Sequence, residues 1–277
     1  MRFPAIFLGL GVALSAGAAQ TAPPSVEIKD AVVRVTVIPE ARSDVKVEIL
    51  SNHAQLPLQV RAQGHRVTID GGLDRKIRHC EGEGAGASVS VAGVGAVAYA
   101  NMPQIVIRAP RDVDLDSGGA VFGAIGKSAN LRLSNAGCGD WTIANVAGEL
   151  TLNQAGSGDT YVGSVGRANL RVAGSGDIKT QAVKGPMSVD MAGSGDVRTA
   201  SLDGALDVKI AGSGDVKIAG GRVGAMAVSV AGSGGVDVNG TAESLKARIA
   251  GSGDVKVKAV SGAVSKAVLG SGDVIIG

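Results

Sequence analysis

The sequence predicts an all-β fold, a parallel β-solenoid built from a single chain. Three observations predict it: a glycine motif recurring at nearly fixed spacing, two-residue hydrophobic alternation between its copies, and no helical periodicity of ten residues or more. The motif begins at Gly137, Gly156, Gly174, Gly193, Gly212, Gly232, Gly251 and Gly270, with successive spacings of 18 to 20 residues. Six copies read Gly-Ser-Gly-Asp; the first reads Gly-Cys-Gly-Asp and the sixth Gly-Ser-Gly-Gly. A period near 19 residues means stacked coils, each one supersecondary unit.

Within a coil, the fourth and sixth residues after the first glycine are apolar or small, as in Ile178 and Thr180, Val197 and Thr199, or Val216 and Ile218. Side chains two apart share one face of a strand, so these face inward, while Asp177 and Lys179, or Asp196 and Arg198, face solvent. A second alternating stretch precedes each motif, as in Met187, Val189 and Met191 or Leu206, Val208 and Ile210. Between the two lies a glycine corner such as Val183-Lys184-Gly185, so each coil supplies two strands and at least two turns. Gly156, Gly158, Gly174, Gly176, Gly193, Gly195, Gly212 and Gly214 read as the scaffold of the stacked turns, where backbones approach closely.

Stacking puts Asp140, Asp159, Asp177, Asp196, Asp215, Asp254 and Asp273 in one column, where like charges repel unless compensated. Two compensations are legible: backbone N–H donors near a turn, and the largely basic neighbouring column. Gly235 removes one carboxylate, and Asp237 places one between Lys217 and Lys256, as local charge balance would require. Calcium is the alternative occupant, through Asp159, Asp177, Asp196, Asp215, Asp254 and Asp273. Calcium rolls, however, use nine-residue repeats with converging carboxylates, whereas here one motif carboxylate falls in each coil. The column reads as scaffold; no metal and no cofactor is expected.

The composition narrows the function classes. Glycine supplies 43 of 277 residues and aromatics 2%, so the interior must be slim and aliphatic. With 27 basic against 25 acidic side chains, no nucleic-acid groove is expected. Residues 1–19 read as a secretory signal: Arg2, an apolar stretch from Ala5 to Leu14, then Ala16-Gly17-Ala18 as a cleavage site. A membrane anchor is the alternative, but the apolar run falls short of the roughly 20 residues a span needs, and no stable span is expected once the signal is removed. The expected location is therefore export, to the periplasm, the outer surface or the medium. In an exported chain Cys80 and Cys138 are a disulfide candidate, with two free thiols as the alternative.

No catalytic set emerges, because the repeated carboxylates are spread evenly and chemistry would be expected to break the pattern. His79, Cys80, Glu81 and Glu83 form a polar cluster without a second histidine, and read as a surface loop. Trp141 falls at an inward position and reads as a plug of the first regular coil rather than a sugar platform; Tyr161 falls outward.

Residues 20–110 alternate less regularly and are punctuated by Pro39, Pro57, Pro103 and Pro110. They read as irregular opening coils that cap the open edge, with a separate small β-domain as the alternative, and 111–277 as the regular repeats. After the last motif come Val274, Ile275 and Ile276, an apolar assembly edge through which a homo-oligomer would form, with another partner covering it as the alternative.

The repeated Ala-Gly-Ser-Gly-Asp-Val/Ile, at Ala173 to Ile178, Ala192 to Val197, Ala211 to Val216 and Ala250 to Val255, resembles the putative auto-transporter adhesin head GIN domain family. So does the segment from Met102 to Pro110 that leads into the repeats. The resemblance implies a single-stranded right-handed parallel β-helix and an envelope or surface location, and carries no catalytic residues. The expected function is a non-enzymatic adhesion or interaction module whose partner is a protein or glycan surface. The alternative is a carbohydrate-active or calcium-dependent envelope protein.

Overall fold

Alternating Val, Ile and Leu at strand spacing fold here as parallel coils of about 19 residues, about nine turns in all, with 69% of the chain in strands. The computed structural model describes residues 23–277; the expected export signal lies outside the described residues. Two inward columns show how the sequence sets the register. On the strands that lead into the turns, Leu115, Leu133, Leu152, Leu170, Val189, Val208, Val228 and Ala247 stack rung on rung. After the turns, Trp141, Thr160, Ile178, Val197, Val216, Val236, Val255 and Val274 do the same. All of these side chains are buried, and a one-residue slip would turn each column to solvent.

Trp141 is fully buried and fills the first regular coil. Its register partner in the coil before it is Gly123, where an added Cβ would lie 2.1 Å from the indole ring. The two residues are one packing unit, a large ring seated where its neighbour has no side chain. The inner columns also carry a few polar groups that satisfy one another. Ser117 donates to Asn135, whose amide donates to the Gly139 carbonyl, and Thr160 donates to Gln154 Oε1 at 2.6 Å.

The N-terminal part opens the same stack. β1 (Ser25–Glu40), β2 (Lys46–Ser51), β3 (Gln59–Gln63) and β4 (Arg66–Asp70) precede the small-sheet strands β5 (Ile77–Glu81), β6 (Ser88–Val91) and β7 (Gly95–Ala98). Then come β8 (Gln104–Pro110) and β9 (Asp112–Ile125). One edge of β1 pairs in parallel with β9; its other edge takes β4 and β8, also in parallel. β3 and β2 then pair antiparallel with β4 and β8. The first open edge is thus covered by two reversed strands carrying Lys46, Glu48 and Arg61, charged groups that blunt an edge.

β5, β6 and β7 form a separate antiparallel sheet over the outside of the first coils. It buries Leu73, Val89, Val91 and Val97 against Val32, Ala120 and Phe122, making a second core on a face that is solvent-exposed in later coils. His79, Cys80 and Glu81 therefore lie in strand β5, not in the expected loop. His79 and Glu81, two apart on one strand face, approach to 3.3 Å. At the other end the last coil is uncovered: every residue from Val264 to Gly270 is exposed, Leu269 at 79%. Of the three expected edge residues, Ile275 and Ile276 are exposed at 42% each, whereas Val274 is buried as the last rung of its inward column.

Candidate functional site

The motif turns are the part of the molecule where chemistry-bearing side chains align, and their geometry follows from glycine. At Gly158 an added Cβ would lie 2.2 Å from the Gly139 carbonyl oxygen, and the same close approach recurs at Gly176, Gly195 and Gly214. Only a residue without Cβ lets the turns stack at the strand spacing of about 4.8 Å.

The carboxylates complete the hydrogen bonding of the turns. The N–H of Asp159 donates to Asp140 Oδ1 at 2.9 Å, that of Asp177 to Asp159 at 2.8 Å, that of Asp196 to Asp177 at 2.9 Å, and that of Asp215 to Asp196 at 2.8 Å. Gly235 donates to Asp215 at 2.9 Å and Asp273 to Asp254 at 3.1 Å. The carbonyl at each of these positions meanwhile accepts from the strand of the coil before, as Asp196 does from Ile178 and Asp215 from Val197. One oxygen of each carboxylate therefore acts as a rung of the ladder, continuing between coils the pairing that the turn interrupts.

The second carboxylate oxygens meet the basic column. Arg198 reaches Asp177 Oδ2 and Asp196 Oδ2, at 2.7 and 2.6 Å, and its hydrogen bond to Asp177 raises its pKa above the ordinary arginine value. Lys217 pairs with Asp215 at 3.1 Å and Lys256 with Asp254 at 3.6 Å. Lys179 instead lies over the Tyr161 ring, 4.8 Å from its centre, with its pKa raised chiefly by a hydrogen bond to the phenol. Among the described residues no group of three or more acidic, histidine or cysteine side chains has the geometry to hold a metal ion.

At the first motif the regular turn meets the small sheet. Cys138 is joined to Cys80 of β5, with Cα atoms 5.9 Å apart, and Gly84 N–H lies 3.4 Å from Asp140 Oδ2. The bridge and this contact tie the sheet over the outer face to the first stacked turn. The other exposed apolar groups are Ile49, Leu50 and Val60 at the N-terminal edge, Tyr161, and the terminal coil.

Sequence reasoning expected the glycine scaffold and the aligned carboxylates. It did not anticipate that each carboxylate bonds the next coil's own motif amide, nor that Lys217 and Lys256 choose their own coils' aspartates over Asp237. The signal for the first was the constant three-residue distance between the first glycine and Asp, which fixes side chain and amide in equivalent places in every coil that carries the Asp.

Among curated proteins none matches the sequence. A crystal structure of a putative adhesin from Parabacteroides distasonis is similar in fold, with a TM-score of 0.58 at 17% identity, covering 92% of this chain and 94% of that one. A putative adhesin from Bacteroides fragilis aligns over 93% of this chain and 94% of its own, with a TM-score of 0.43 and 17% identity. Residues 181–277, the C-terminal coils, match the family described as putative auto-transporter adhesin, head GIN domain, the family that the repeated motif resembles.

Proposed function

We propose that the chain is an exported, non-enzymatic adhesion module of the bacterial envelope, presenting a stiff β-surface to a protein or glycan partner. The observation that carries this reading is the use made of the motif carboxylates. Six of the seven accept a backbone N–H from the following coil, and they stand one per coil instead of converging in pairs as acid-base or ion-binding chemistry requires. What remains for a partner is the outer face: flat strands, an acidic column beside a largely basic one, and the exposed terminal coil, which we propose as a contact between copies. The family matched by residues 181–277, with its adhesin description, supports the same reading.

The test is attachment. Beads coated with the protein are expected to be retained on bacterial or host-cell layers in a saturable way, and free protein should compete them off. Retention no greater than that of beads coated with an unrelated β-solenoid would overturn the adhesion reading. Release of new reducing ends from cell-wall or host glycans during the assay would favour a carbohydrate-active enzyme instead.

A further inference from the structure

The ladder lacks one rung. Gly235 still donates its N–H to Asp215, but it offers no carboxylate to the coil that follows. The N–H of Asp254, whose counterparts at Asp159, Asp177, Asp196, Asp215 and Asp273 each bond the preceding Asp, has no acceptor among the described residues. Nothing in the backbone demands glycine at 235. Its φ lies outside the left-handed region, and an added Cβ would meet Asp254 O at 3.3 Å and Asp215 Oδ1 at 3.4 Å, contacts that small shifts relieve.

A polar notch of about 370 Å³, the size of a small ligand pocket, lies at this position, lined by Gly235 and its charged neighbours. Asp215 and Asp254 stand on either side along the column, and Asp237 stands beside it with Lys217 and Lys256 as its register neighbours. Both lysines are held by their own coils' aspartates, so Asp237 makes no ion pair among the described residues. Ser233 and Ser252 add hydroxyls at the rim.

These groups select a ligand class. An anion that satisfied the Asp254 amide would face three carboxylates. A cation drawn by those carboxylates would face two ammonium groups and leave the amide unpaired. A neutral hydroxylated ring meets both demands, because each hydroxyl donates one hydrogen and accepts through its lone pairs. Its O–H groups would donate to Asp215, Asp237 or Asp254 while its oxygens accept from the Asp254 amide and the lysines. We propose that the notch at Gly235 is a saccharide-binding subsite for a neutral sugar unit. This deepens the adhesion reading and rests on it for its biological use. With no aromatic platform lining the notch, a single site would bind at millimolar strength, and many copies on a surface would supply avidity.

The test follows the Asp254 amide resonance in ¹⁵N-labelled protein titrated with lactose, methyl mannoside and N,N′-diacetylchitobiose, and with acetate and trilysine as charged probes. The expected result is a saturable shift with at least one neutral sugar below about 100 mM. Gly235→Ala, which adds only a methyl group, should keep the response. Gly235→Asn, whose side-chain oxygen fills the rung without adding charge, should abolish it, and an unchanged thermal midpoint would show that it folds. A shift with acetate alone, a shift with trilysine alone, silence with every sugar, or an equal response in Gly235→Asn would each overturn the proposal. Bead retention separates the two readings. Retention with a silent amide removes the subsite and leaves adhesion standing, whereas a responding amide without retention leaves a sugar site and removes adhesion.

Discussion

Trp141→Ala is expected to destabilise the protein by about 3–5 kcal/mol, the range for emptying a large buried aromatic site. The indole is fully buried and sits over Gly123, so the coil before it has no side chain at that rung to fill the cavity, and on the other side stands only the small Thr160, already hydrogen-bonded to Gln154. The ring's Nε1 has no hydrogen-bond partner among the described residues, so apolar packing supplies its contribution. Trp141→Phe keeps much of that packing and removes the unpaired N–H, so it should cost only about 1–2 kcal/mol. Guanidinium unfolding followed by circular dichroism would measure both, since Trp141 is the one tryptophan of the chain. Equal midpoints for Trp141→Ala and wild type would show that the first coil is not held by this plug.

Gly195→Ala comes next, at about 2–4 kcal/mol, by steric overlap of backbone with backbone. The new methyl carbon would lie 2.3 Å from the Gly176 carbonyl oxygen and 3.1 Å from two carbonyl carbons of that turn, none of which is a flexible side-chain tip. Relief requires the two coils to separate, which lengthens the Asp196–Asp177 rung as well. Gly224→Ala is the internal control. Its Cβ would meet nothing closer than 3.6 Å and its φ is ordinary, so it should be neutral or stabilising by up to about 1 kcal/mol, through the unfolded chain. If both variants unfold together, close approach of the turns is not what fixes these glycines.

The coils were legible because their period is carried by every residue class at once. Apolar pairs such as Val197 and Thr199 mark the inward face, Asp196 and Arg198 the outward face, and Gly193 and Gly195 the turn, so any one register contradicts all others. The small sheet was not legible. β6 and β7 are four residues each, and the glycines between β5 and β6 read as loop, so no window was long enough to show a period. Its consequence was hidden too: Val32, Ala120 and Phe122 look outward by alternation and are buried only because that sheet covers them. At Gly235 the sequence showed the swapped charge but not its effect. Charge balance pointed to Asp237 pairing with Lys217 and Lys256, whereas shorter reach within each coil gives those lysines to Asp215 and Asp254. The vacancy in the ladder is a property of the amide in the next coil, which no count of charges reveals.

Six motif carboxylates serve as hydrogen-bonded rungs between coils, and at Gly235 one rung is missing. Native-state amide hydrogen exchange, read residue by residue by NMR, tests this most directly. The amides of Asp177, Asp196, Asp215 and Gly235 should be strongly protected, and that of Asp254 should exchange far faster despite lying in the same stack. Protection of Asp254 equal to that of these neighbours would contradict a missing rung, and rapid exchange at all of them would contradict the ladder itself.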